Sequence, residues 1–144
     1  MTTLRERFAR EVEALVGTPF RLHGRDEHTG VDCVGLVLCA LSRAGFSLEV
    51  PRYRLRNKDV SGIIAFVDRL GFERVEDGPI AGDIYLAEIG PTQFHVLAIG
   101  PGGHTVHAHA GLRRVVCQTS FPPWPIQNRW RIPENTEDLW PLSS

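Results

Sequence analysis

The first half of the chain repeats its apolar residues every three or four positions and the second half every two, so the pattern alone predicts helices followed by strands. Leu4, Phe8, Val12, Leu15 and Val16 share one helical face, with Arg5, Glu6, Arg10, Glu11 and Glu13 between them. This predicts an amphipathic helix over 4–16, closed by Gly17 and Pro19. A loop over 18–32 leads to a second helix over 33–44, where Val34, Leu36, Val37, Leu38, Ala40 and Leu41 predict burial on most sides and Gly45 a stop. After the extended basic stretch Pro51–Arg56, a third helix is expected over 59–70 from Val60, Ile63, Ile64, Val67 and Leu70, ended by Gly71. Beyond it, alternation predicts strands over 73–75, 83–87, 94–99, 105–109, 113–117 and 127–131, separated by Gly/Pro turns such as 100–103. The order implies an α+β fold with N-terminal helices packed on a C-terminal antiparallel sheet.

With 144 residues, 42% of them hydrophobic, the chain is long enough to bury a core without disulfides. A single domain over 1–144 is expected, with its core over about 4–132 and a polar extension over 133–144 that carries Trp140. The 16 basic and 17 acidic residues are mixed along the chain and leave a net charge of -1, which argues against nucleic acid as a partner. No run approaches the roughly 18 apolar residues of a membrane span. Charged residues occupy the first positions, where a signal peptide would be apolar, so the chain is expected to be made in the cytoplasm without an address of its own. Cys33, Cys39 and Cys117 have no paired spacing and read as reduced thiols.

Chemistry enters at Val31-Asp32-Cys33-Val34-Gly35, where a turn-rich approach becomes an apolar helix. The N–H groups at a helix N-terminus favour an anion, so Cys33 is expected to ionise below the usual value of about 8.5 and serve as a nucleophile. His95, a polar ring in the apolar run Phe94–Ile99, is the candidate base. A third group must orient it, and His107 and His109 qualify alike because they share one strand face. The cluster His104, His107 and His109 also admits a metal, but no carboxylate lies close in sequence, so no metal site and no cofactor are expected. Cys39 and Cys117 read as core residues, His23 and His28 as solvated. The stretch from Phe121 to Trp130 and the tail with Trp140 are candidate docking surfaces, with packing onto their own domain the favoured alternative.

The order Gly17-Thr18-Pro19-Phe20, Asp32-Cys33-Val34-Gly35-Leu36, Gly82-Asp83-Ile84, His95-Val96 and Val106-His107-Ala108 resembles the NlpC-type cell-wall peptidases over about residues 4–117. The resemblance implies a papain-like fold, with the sheet forming a partial barrel. It further implies a cysteine peptidase that hydrolyses amide bonds in peptidoglycan stem peptides, often the D-γ-glutamyl–diaminopimelate bond. Carried over by position, Cys33 is nucleophile, His95 general base and His107, in preference to His109, the orienting residue. Asp32 either caps the helix or meets the amino end of the stem peptide. Two positions depart from the family: Val34 replaces the usual serine and Phe20 the usual tyrosine, and both stand where substrate would be bound. The valine variant resembles the branch carried on phage tails and gene transfer particles, which implies tail-tip or baseplate proteins as partners and action at the wall as part of a tail particle. The alternative is a structural tail component with weak or lost activity. An acyltransferase or amidase using the same thiol is a third reading.

Overall fold

The computed structural model describes residues 2–48, 60–91, 93–137 and 139. Among these, helices α1 (Leu4–Ala14), α2 (Cys33–Arg43) and α3 (Ser61–Leu70) precede the main sheet. That sheet comprises β3 (Glu73–Arg74), β4 (Ile84–Gly90), β5 (Gln93–Ile99), β6 (Thr105–His109), β7 (Arg114–Gln118) and β8 (Ile126–Arg131), in the order β3-β8-β4-β5-β6-β7 with every neighbour antiparallel. It is an open sheet with β3 and β7 at its edges, not a closed barrel. The expected α+β architecture is the observed one. One departure is local: the segment expected as plain loop between α1 and α2 contains a small ribbon, β1 (Arg25–Asp26) paired with β2 (Gly30–Val31). The expectations for Pro51–Arg56 and Trp140 lie outside the described residues.

The helices form where sequence supplies both a face and a cap. The Thr3 hydroxyl accepts the Glu6 N–H at 3.1 Å and starts α1, which buries Leu4, Phe8, Ala9 and Val12. In α2 the buried residues Leu36, Val37, Ala40 and Leu41 spread around the helix, because α1 covers one side and the sheet another. Gly71, in the left-handed region at φ 97, ends α3.

Alternation sorts the sheet residues into two layers. Ile84, Leu86, Phe94, Val96, Ala98, Val106, Ala108 and Val115 join the helices in the main core. Tyr85, Ala87, Leu97 and Ile99 form a second cluster on the opposite face, where Phe121 and Trp124 cover them. The Pro-rich stretch therefore folds back on its own sheet, the favoured of its two expected readings. A strand covered on both faces reads as a continuous apolar run, as Ile84–Ala87 does.

Gly82 and Asp83 fix how α1 meets this sheet. Gly82 has φ +90, and a Cβ there would stand 2.6 Å from the Arg5 side chain and 2.9 Å from its carbonyl. Only glycine allows that approach. Asp83 is fully buried; its carboxylate accepts the Ile80 N–H at 3.0 Å, Arg129 Nη1 at 2.8 Å and Arg131 Nε at 2.9 Å. Both arginines come from β8, so this carboxylate ties the turn before β4 to the neighbouring strand.

Candidate active site

Cys33 is the first residue of α2, and the segment before it is held by one carboxylate. Asp32 Oδ1 accepts the Gly35 N–H at 2.8 Å and Arg25 Nη1 at 2.7 Å, while Oδ2 accepts the His23 N–H at 3.0 Å. Asp32 is thus the N-cap of α2 and the clasp of the ribbon. The capping role is the one of its two expected roles that the geometry displays. A Cβ at Gly35 would overlap the Gly24 carbonyl, so ribbon and helix meet backbone to backbone. His23 itself lies at φ 60, a left-handed conformation that the Asp32 contact helps hold.

The sulfur lies beside β5, past the end of its pairing with β6. The β5–β6 ladder pairs Ala98 with Val106 and Ile99 with Thr105 and then stops. Backbone direction alternates along β5: the Ile99 N–H donates to the Asp83 carbonyl on the β4 side, so the Val96 N–H points to the β6 side, beyond the end of that ladder. There it meets the Cys33 sulfur, together with the N–H of Val34. The thiol lies on the helix side of the sheet, and the histidines are carried on the other face.

Those histidines form a chain. His95 Nε2 lies 3.0 Å from His107 Nδ1, and His107 Nε2 lies 2.8 Å from Gln118 Oε1. An amide oxygen only accepts, so His107 Nε2 carries a proton and its Nδ1 a lone pair. His95 Nε2 must then donate to His107, which leaves His95 Nδ1 unprotonated. Trp124 sets its plane edge-on to both rings, with centroids 5.9 Å from each, and helps keep water from them. Neither Gln118 nor Trp124 was singled out in the sequence. Gln118 was legible in principle, because His107 pairs with Val116 and the residue two further along β7 shares its face.

The electrostatics correct one expectation. Cys33 is 5% exposed, and burial first, then the Asp32 carboxylate, push its thiol up to about 12, overriding the N–H groups of Val96 and Val34. The helix N-terminus does not make a resting thiolate, because desolvation outweighs it. Burial, then the neighbouring His107 and His109, hold His95 down to about 3; burial likewise lowers His107, against the opposing bond to Gln118. The resting pair is neutral thiol and neutral imidazole.

A stability profile follows from these shifts. A histidine whose folded pKa is depressed binds its proton more readily when unfolded. Its contribution is complete above the unfolded value near 6.5 and is lost as pH falls toward the folded value of about 3. Denaturant unfolding between pH 7 and 4 is expected to show stability falling by up to about 1.4 kcal/mol per pH unit for His95. The slope should lessen in His95→Gln; an identical profile in that variant contradicts the neutral pair.

The remaining candidates separate. Phe20 and Val34 are half-buried and pack on the main core, Phe20 also bridging to Val31. His109 Nδ1 accepts the Leu112 N–H at 3.1 Å and so closes the β6–β7 turn, which leaves His107 as the partner of His95. The two side chains do share a face, with rings 5.7 Å apart. His23 and His28 are exposed, as expected. Cys39 is half-buried and donates to the Arg25 carbonyl at 3.1 Å. Cys117 is exposed, not core, on the edge strand β7.

No protein-family model matches the sequence, and no curated protein matches it. Solved structures do match in fold. An NlpC protein of Trichomonas vaginalis superposes with TM-score 0.67 at 24% identity, over 91% of this chain and 48% of that one. A lipoprotein-like protein of the NLP/P60 family from Staphylococcus aureus gives TM-score 0.60 at 19% identity, over 92% of this chain and 42% of that one. The P60 domain of an antigen from M. avium subspecies paratuberculosis gives TM-score 0.56 at 19% identity, over 89% of this chain and 93% of that one. The fold is that of NlpC/P60 proteins, and the chain spans about half the length of the first of these structures.

Proposed function

We propose that the protein is a cysteine peptidase acting on amide bonds of peptidoglycan stem peptides. The observation that carries this reading is the chain His95–His107–Gln118, which leaves a lone pair at His95 Nδ1, together with a buried Cys33 at the start of α2. The likeness in fold to NlpC/P60 proteins supports the substrate class.

As the sulfur attacks the amide carbonyl, the thiol proton passes to His95 Nδ1, so charge separates only during reaction. The oxyanion is met by N–H groups at the start of α2, among them that of Cys33, which the helix's own ladder leaves without a partner. His95 then protonates the leaving amine, the C–N bond breaks, and a thioester remains on Cys33. Water, giving its proton to His95, attacks the thioester and releases the acid. His107 holds the ring of His95 in the required tautomer, and Gln118 does the same for His107. In this reading Phe20 and Val34 offer apolar surface to the substrate, and Asp32, the cap of α2, holds the segment that carries Cys33. The D-γ-glutamyl–diaminopimelate bond is the favoured target, and delivery on a phage-like tail, in contact with tail-tip or baseplate proteins, belongs to the same proposal. Both rest on the sequence resemblance. The burial of Cys33 favours the second reading, a structural tail component with lost activity.

Digestion of defined muropeptides, with products identified by mass, separates the two. The expected result is a pair of fragments bearing a new amine and a new carboxylate, formed by the protein and not by Cys33→Ala. Intact muropeptides of several stem types, with the protein folded, overturn the peptidase.

A further inference from the structure

On the helix side of β7, away from Cys33, three side chains distant in sequence converge. Glu13 comes from the last turn of α1, His104 from the residue before β6 and Cys117 from β7; a carboxylate oxygen, an imidazole nitrogen and the sulfur all lie within 4.8 Å of one another. We propose that Glu13, His104 and Cys117 form a binding site for a divalent transition-metal ion of the zinc class.

The donors define the class. Thiolate, imidazole and carboxylate suit a borderline-soft cation, whereas calcium and magnesium take oxygen ligands. Three protein ligands leave a fourth tetrahedral place for water. With a metal–sulfur bond of about 2.3 Å and metal–nitrogen and metal–oxygen bonds of about 2.0 Å, the ligand atoms would stand about 3.3–3.5 Å apart. The three therefore need to close by no more than about 1.5 Å, within reach of side-chain rotation for one half-buried and two exposed residues.

Their backbones are already held together. The Gly17 N–H donates to the Val115 carbonyl at 2.9 Å and the Val115 N–H to the Thr18 carbonyl at 2.9 Å, which ties the end of α1 to β7. The Gly100 N–H donates to the His104 carbonyl at 2.8 Å, closing the turn that carries His104. Glu13 lies over that turn, since a Cβ at Gly100 would be 3.7 Å from the Glu13 Cβ. Binding thus orders side chains on a frame that is already fixed. Among the described residues, none of the three side chains has a hydrogen-bond or ion-pair partner to give up. Partial burial and the facing Glu13 carboxylate raise the Cys117 thiol, a repulsion that a cation between them reverses.

Cys117 and Gln118 are consecutive in a strand and point to opposite faces, so the ion would sit behind the residue that His107 bonds. The site does not depend on the peptidase reading, and its test needs no substrate.

Metal titration of the full chain, in a Cys33→Ser background that removes the buried thiol, tests it. Zn2+ is followed by calorimetry, and Co2+ by its thiolate charge-transfer absorbance. The expected result is one equivalent bound, a near-ultraviolet Co2+ band lost in Cys117→Ser, and affinity at least about tenfold weaker in Glu13→Gln and in His104→Ala, with a Zn2+-dependent rise in the thermal transition. All three residues lie at the surface, and circular dichroism checks that each variant folds. No saturable binding, or binding of equal affinity in Cys117→Ser and His104→Ala, overturns the site.

Discussion

Cys33→Ala is expected to lower stem-peptide cleavage by at least about a thousandfold, read as kcat/KM on a defined muropeptide. No other thiol can substitute: Cys39 is committed to the Arg25 carbonyl, and Cys117 lies toward the helix side of the edge strand. The fold should persist, since the truncation removes one small buried atom beside the well-capped start of α2. Thermal unfolding measured alongside separates loss of the nucleophile from loss of structure. Activity within tenfold of the parent would remove Cys33 from the chemistry. Alkylation of the free protein is a poor substitute, because Cys117 is exposed while Cys33 is buried and un-ionised at rest. A competition between thiols becomes informative only after Cys117→Ser.

Asp83→Ala should produce the largest fall in stability of any polar substitution considered. The carboxylate is fully buried and paired with Arg129 and Arg131, whose side chains are only 9% and 16% exposed. Breaking such a pair from one side leaves two cations partly desolvated, at about 3–5 kcal/mol. The exposed Asp77 still reaches Arg131 Nη2 at 2.9 Å, which sets the expectation at the lower end, about 3 kcal/mol. For a chain of this length that is a fall of about 10 °C in Tm. Scanning calorimetry on the variant is the check; a change under 2 °C would mean that Asp77 alone holds both arginines.

The elements were legible because their periods are regular. Leu4, Phe8 and Val12 place α1, and the alternation around His95 and His107 places β5 and β6, since each pattern has one buried face. The ribbon over 25–31 was hidden because its pairing comes from Gly24 packing on Gly35 of α2, from Gly30 packing on Pro19 and Arg21, and from the Asp32 clasp, not from any alternation. Strand order was equally hidden: β8 inserts between β3 and β4, and the Asp83–Arg129–Arg131 cluster that marks this insertion spans nearly fifty residues.

The candidate site divides in the same way. Cys33 could be picked out by its place at a loop-to-helix junction, and His95 by its apolar surroundings. Sequence alone left His107 and His109 equivalent, and only the resemblance chose between them. The structure distinguishes them by partner, His109 turning to Leu112 and His107 to His95 and Gln118. The sign of the Cys33 shift was misjudged because a helix end is visible in sequence, whereas the depth at which it is buried is not. Gly35 illustrates both sides: its place after Cys33-Val34 is plain, but the Gly24 carbonyl against it is a tertiary fact.

A thioester on Cys33 is the central chemical claim, and trapping it is the most direct test. Muropeptide in excess, mixed with protein, quenched in acid within milliseconds and digested for mass analysis, should show the acyl half of the substrate attached to the peptide containing Cys33, decaying as product forms. Product released at full rate with no adduct at any quench time, together with undiminished turnover by Cys33→Ala, would contradict it.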